Sequence, residues 1–552
     1  MSRALTAKTT VEHLRKDAKR WLKAVRAGDP ASRARLKAAW SAAPAAPGLR
    51  DIQQALAREY GQDSWIALKA ALDDLALARK GRGEQIELIL RSGWDGDVRA
   101  ARRLLQHHPD LAQASLHMAA TCGDLAEVDR RLGQEPVDAR AGPLGWTPLT
   151  CVAYGRLDET NAVAIAERLL EAGADPNAGF NDGWDSPFKV LTGAIRLGEG
   201  ARPSHAQVDE LVELLIAAGA NPFDPQALYN ISIVGDDTAW YDRLWSLCEK
   251  AGVADRWRQP ALGLGGKMGV TALDYLLGNA VGQNQIGRAG WLLARGAGPN
   301  AISIYSGRPP LMEAKLSGFL EMGALLQRHG ATAPPMTGLH AFQAACMAGD
   351  RAAAEALLAA DPSLIDQPGP LLSAAELGNA PAADLLLSLG ARVDGLAHDG
   401  ISPLHRAVQS GVLAMVRQLV EAGADVDLRE RRWNGTPMSW AVVLGKPEVA
   451  DYLAPLSHDV RPLAYQGRLE RLKAVLREQP ERALVNLPGD NGATPLFSLP
   501  DDEELALEVV RIFLAHGVDP TVRNPKGQTA ADIARLNGHE EVAELLDAAF
   551  ER

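Results

Sequence analysis

The chain has 552 residues, more than one compact core usually holds, and its 47% hydrophobic content excludes general disorder. Its 69 acidic and 58 basic side chains give a formal charge of -11, which disfavours nucleic acid as a partner, and four cysteines without a Cys-x-x-Cys pair exclude a zinc knuckle or dense disulfide scaffold and suit a reducing cytoplasm. Alanine and leucine abound, only 5% of residues are aromatic, and no stretch alternates like an exposed strand, so the fold class expected is all-α.

The opening residues carry charges where a signal peptide needs its apolar core, and no later segment reaches the roughly eighteen apolar residues of a span, so neither export by that route nor a membrane span is expected. Residues 1–85 read as a helical N-terminal cap segment. LRKDAKRWLKAVRAGDPASRARLKAAW from Leu14 and LRDIQQALAREYGQDSWIALKAAL from Leu49 are amphipathic, lack the glycine pattern of the repeat that follows, and would cover the apolar face of the neighbouring segment. Arg15, Lys16, Lys19, Arg20, Lys23 and Arg26 make the first helix positive, and the expectation is a solvated face.

From residue 86 to 552 the chain is built from a repeat, with early copies opening at Thr147-Pro148-Leu149 and Ser186-Pro187. It is irregular at about 186–310, where GEGARPSH is inserted at Gly198 and a helical stretch from Ala227 has no Thr-Pro-Leu opening. Asp236 and Asp237, with Tyr229, Asn230, Trp240 and His205, are the best candidates for a hidden polar pocket, so an enzyme or small-molecule site, if the chain has one, belongs in this stretch. At Gly263, GLGGKMGVT gathers glycines and a lysine as a phosphate loop does. Ala261 stands where that motif needs glycine, Met268 replaces its Ser or Thr, and no buried strand precedes it, so the string reads as a turn entering the next repeat.

The clearest copies come later in the chain: HDGISPLHRAVQSGVLAMVRQLVEAGADVD from His398, WNGTPMSWAVVLGKPEVADYL from Trp433, and PKGQTAADIARLNGHEEVAELLDAA from Pro525. Ser402 to Thr436 is 34 residues and Thr494 to Thr529 is 35, a period of one helix–turn–helix unit. The hydroxyls of Ser402, Thr436 and Thr494 are placed to cap a helix whose first turn holds Pro403, Pro437 or Pro495. Gly411, Gly445 and Gly538 turn the chain, and glycines such as Gly296, Gly390, Gly423 and Gly517 end the second helix. A second flavour ends it with a proline step, at Pro109, Pro362 and Pro480.

Ser402-Pro403-Leu404-His405-Arg406-Ala407 and the Gly538–Val542 string resemble the ankyrin repeat, and the irregular middle with its leading helices resembles bacterial ankyrin-repeat proteins. The resemblance implies an ankyrin-repeat solenoid of roughly thirteen helix–turn–helix repeats behind an N-terminal helical cap. It also implies that His405 joins hydrogen bonds between neighbouring turns, and that finger tips and the exposed side of each first helix bind a protein partner. Aligning the copies puts Trp146, Tyr305, Arg308, His398, Asp399, Arg432, Trp433, Asp490 and Asn491 in fingers, Trp184 in an irregular finger and Tyr154 on the exposed side of a first helix, chemistry that interface anchors favour. No His pair has helical metal-site spacing with a glutamate, and no Gly-x-Ser-x-Gly elbow is present, so no cofactor, metal or catalytic residue is assigned. The expected function is a non-catalytic scaffold or adaptor, its acidity suited to a modestly basic protein segment.

Overall fold

The computed structural model describes residues 3–550 except 7–8, 97, 184, 199–201 and 480–493. It is 59% helical, an all-α ankyrin-repeat solenoid, and it divides into two compact units: Met1–Glu313 with Ala324–Thr332, and Ala314–Gly323 with Ala333–Arg552.

In the first unit, helices Val11–Arg26, Pro30–Ala39, Leu49–Glu59 and Trp65–Ala78 share a core of Leu14, Trp21, Leu22, Ile52, Leu56 and Leu68. Thr10, Asp29 and Ser64 each accept a backbone N–H at the start of a helix, and Arg35 pairs with Glu59 while lying 3.6 Å over the Trp21 ring. Of the six basic residues expected on a solvated face, Lys19 is instead buried. The helix Arg82–Asp95 runs straight through residue 85, the expected end of the cap segment.

Helix pairs come next, among them Pro148–Tyr154 with Ala162–Glu171, and Val190–Ile195 with Val208–Ala217. Between these two pairs lies a short antiparallel ribbon, Gly179–Phe180 against Phe188–Lys189. The irregular stretch is a repeat with different chemistry. Asp224, followed by Pro225, does the work of Thr-Pro: its carboxylate accepts from the amides of Gln226 and Ala227 and starts the helix Pro225–Ser232, which is followed in the chain by Ala239–Lys250. The proline step at Pro109 is a single 3-10 turn, Pro109–Leu111, as is Pro362–Asp366 in the second unit.

In the second unit the regular copies behave as their sequence dictates. Pro403–Ser410 with Leu413–Glu421 and Pro437–Val443 with Pro447–Leu453 bury Leu404, Val408, Met415, Val416, Leu419 and Met438 in one core. His405 Nδ1 accepts from the Ser402 amide and its Nε2 donates to the Gly435 carbonyl at 3.1 Å, tying one turn to the next. Burial lowers its pKa, so it stays neutral and keeps that polarity. Gly390 and Gly423 have φ of +102° and +92°, the left-handed turn that ends a second helix. The expectation for Thr494 needs correction: its hydroxyl caps nothing, and Pro495–Phe497 is one 3-10 turn. Pro500 disfavours helical geometry at Leu499 and stops the helix before a second turn forms.

Candidate functional site

Two features stand out. The first is a cavity of about 750 Å³ inside the first unit. Its aromatic wall comprises Trp94, Tyr154, Phe188, Tyr229, Tyr275 and Tyr305. Trp94 sits 5.0 Å from Phe188 and 5.8 Å from Tyr154 by ring centroids, and the hydroxyls of Tyr275 and Tyr305 meet. One side is a relay of neutral polar groups. Ser186 Oγ donates to Gln226 Oε1, Gln226 Nε2 to Asn230 Oδ1 at 3.1 Å, and Asn230 Nδ2 to the Arg196 carbonyl at 2.9 Å.

Arg196 and Leu197 come after the helix Val190–Ile195 at φ of +49° and +40°, a conformation L side chains rarely adopt, and both line the cavity. The buried Arg196 guanidinium donates to the carbonyls of Gly93 at 2.5 Å and Trp94 at 2.9 Å, and Arg202 donates to the same Trp94 carbonyl. Burial pulls the Arg196 pKa down to about 10, with Arg156 and Arg202 adding repulsion. The glycine-rich string forms another wall: a Cβ on Gly263 would lie 2.4 Å from Ser186 Oγ, and one on Gly266 2.5 Å from the Ala261 backbone. Lys267, from that string, pairs with Asp185, and both side chains are well exposed.

The second feature is a finger of the second unit. Glu430 is 2% exposed, and its carboxylate accepts from the amides of Arg432 at 2.6 Å, Trp433 at 2.9 Å and Gly435 at 3.0 Å. A charged acceptor on three amides fixes this loop. Arg429 adds a bond to the Asn434 carbonyl at 2.7 Å and an ion pair with buried Asp459 at 3.0 Å. The loop so held displays Trp433 at 62% exposure, with Arg432 over its ring at 4.7 Å and Trp440 at 6.1 Å. Trp440, Val443 and Leu444 share one face of the helix Pro437–Val443 and its end, and Val443 is 83% exposed.

Family comparison agrees with this architecture. Residues 370–462 match "Ankyrin repeats (3 copies)" and residues 144–179 match "Ankyrin repeat". This is an ankyrin-repeat protein. It is 25% identical over 200 residues to the putative ankyrin repeat protein YahD of Escherichia coli (strain K12), covering 34% of this chain and 98% of YahD. It is 27% identical over 157 residues to alpha-latrotoxin-Lg1a of Latrodectus geometricus, covering 28% of this chain and 10% of the toxin. A third relative is the Ankyrin repeat and KH domain-containing protein mask-1 of Caenorhabditis elegans, 26% identical over 218 residues, 33% of this chain and 8% of that protein. The chain thus spans nearly all of YahD but a tenth or less of the other two. Ankyrin repeats in general mediate protein–protein interaction. Among the described residues no helix is long and apolar enough to cross a membrane.

The residues singled out in this ankyrin-repeat sequence fall into four groups. His398, Asp399, Arg432 and Trp433 come together on two successive fingers, where Arg431 donates from its amide to the Asp399 carbonyl and from its guanidinium to that of His398. Tyr154 and Tyr305 meet the cavity, and Arg308 pairs with Glu313 at 3.3 Å. Trp184, Asp490 and Asn491 lie outside the described residues. Two placements are corrected: Trp146 is 4% and Tyr154 1% exposed, packed against each other and Phe180. Tyr154 is buried because Gly193 opens a slot for it; a Cβ there would lie 2.4 Å from the ring.

Of the expected polar-pocket group, Tyr229 and Asn230 line the cavity. Asp236 instead accepts from the amides of Gly287 and Arg288, and Asp237 accepts through its carbonyl from Arg288. The glycine string, expected to be a turn alone, is also a cavity wall. Glu430 carries no sequence signal of its role, because nothing in the sequence separates a buried organising acid from an exposed one. Burial pushes the thiols of Cys122, Cys151 and Cys346 up to about 12 and that of Cys248 to about 11, which leaves them protonated and poorly nucleophilic.

Proposed function

We propose that this protein is a non-catalytic scaffold that binds a protein partner through the finger carrying Arg432 and Trp433, with His398 and Asp399 beside it. The supporting observation is the rigid display of an exposed tryptophan: Glu430 holds the loop through three amides while Trp433 stays 62% exposed. A monomer gains nothing from ordering a large apolar ring in water, whereas a preorganised aromatic anchor reduces the entropy lost on docking. Trp440, Val443 and Leu444 continue the anchor into an apolar strip that suits a hydrophobic side chain of the partner. Arg308 and Tyr305 belong to the first unit.

The test is affinity capture from native lysate with the whole chain and with Trp433→Ala, followed by titration of any captured protein against both. The reading expects a protein held by the parent and released by the still-helical variant. Equal capture by both would remove the finger from the binding surface.

A further inference from the structure

The cavity of the first unit has a charge arrangement that its own fold leaves unbalanced. Arg196 and Arg202 both end on main-chain carbonyls at the close of the helix Arg82–Asp95. The negative end of a helix dipole supplies roughly half a charge, against two guanidiniums. Arg156, beside them, likewise donates to the carbonyls of Ala153, Gly155 and Gly193. Glu159 acts on Arg156 and lies 3.4 Å from His205. Among the described residues lining the cavity the acids are Asp182 and Asp185, both exposed, and Asp185 is already paired with Lys267.

The acids that line the cavity are therefore shallow while Arg196 is deep; the buried carboxylate of Asp224 lies behind the wall, outside the lining, and is held by the Thr192 hydroxyl and the amides of Gln226 and Ala227. A buried cation whose partners are all neutral is costly, and an anion delivered to it relieves that cost. The polar relay points the same way. Gln226 and Asn230 each spend one amide N–H within the relay and retain a second, so the wall offers donors. The remaining lining is aromatic, with Trp94 and Tyr154 on one side and Tyr275 and Tyr305 on another, and the volume of about 750 Å³ falls in the range of small-ligand pockets. The paired left-handed residues Arg196 and Leu197, which put a guanidinium into the wall at a conformational cost, fit a binding role.

We propose that this cavity binds a small planar aromatic anion, its ring between the tyrosines and Trp94 and its acidic group facing Arg196 and Arg202. This is a site separate from the protein-docking finger, and it stands or falls independently of it. The guanidinium fork suits either a carboxylate or a phosphate monoester. The deciding experiment is calorimetric titration of the full chain with 2-naphthoate, 2-naphthyl phosphate and the neutral isostere 2-naphthamide. At least one of the two anions is expected to bind about tenfold or more tighter than the amide, and which one does so identifies the acid.

Arg202→Gln should erase most of that preference, leaving the amide's affinity unchanged, and Arg202→Lys should restore part of it. Tyr305→Ala, at a half-exposed wall position, should weaken anion and amide together. Unchanged melting of these variants separates lost binding from lost fold. Equal binding of anion and amide, or no binding of any of the three compounds, would overturn the proposal.

Discussion

At the residue scale Glu430 does the most with a single side chain. Its carboxylate sits where a polar group can persist only if it is paired, and it is the acceptor for three amides of its own loop. Glu430→Ala should destabilise the second unit by about 1–3 kcal/mol, the cost of stranded donors, in urea denaturation. It should also weaken a captured partner without touching it, because the finger loses its fixed conformation. Trp433→Ala should do the reverse, leaving stability unchanged while costing at least about 1 kcal/mol of binding.

His205 makes a pH prediction for the first unit. It is buried, with Nδ1 accepting from the Gln207 amide, and burial lowers its pKa from 6.5 to about 4. Between those values the unfolded chain binds a proton that the folded chain refuses, so stability present above pH 6.5 declines as the pH falls toward 4. Thermal melts across that window should show a steeper loss for the parent than for His205→Asn. Parallel curves would mean that His205 does not contribute.

At the scale of elements, small residues decide which helix faces close. The helix Val190–Ile195 carries Gly193, a residue that weakens a helix, at the point where the Tyr154 ring comes closest to it. Gly193→Ala forces the ring out and should cost about 1–3 kcal/mol. Combining it with Tyr154→Leu should cost less than the sum of the single changes, and strict additivity would show that the two do not touch. The glycine is legible in the sequence as an anomaly inside a helix, but its partner is not, since Tyr154 lies 39 positions earlier and only stacking brings the two together. The capping steps show the complementary case. Ser402 and Thr436 cap as their sequence dictates because the signal is local. Asp224-Pro225 does the same with a carboxylate, and a pattern defined by a hydroxyl before proline passes over it.

For the whole molecule, the formal charge of -11 supports a steering prediction. If the partner is basic, its association rate should fall as salt rises while dissociation changes little, as stopped-flow mixing would show; a salt-independent association rate would exclude steering. The sequence by itself determined the all-α class, the repeat period and most turn glycines, since each arises from local geometry repeated along the chain, while the inter-turn role of His405 was legible only through the resemblance to the ankyrin repeat. Only the tertiary structure decided that Trp146 and Tyr154 are core while Trp433 is not, that Glu430 is buried, and that the string at Gly263 walls a cavity with Arg196. These facts depend on which side chains meet across repeats, and an aromatic residue or a glycine has the same local propensity whether its neighbour is a ring, a guanidinium or water.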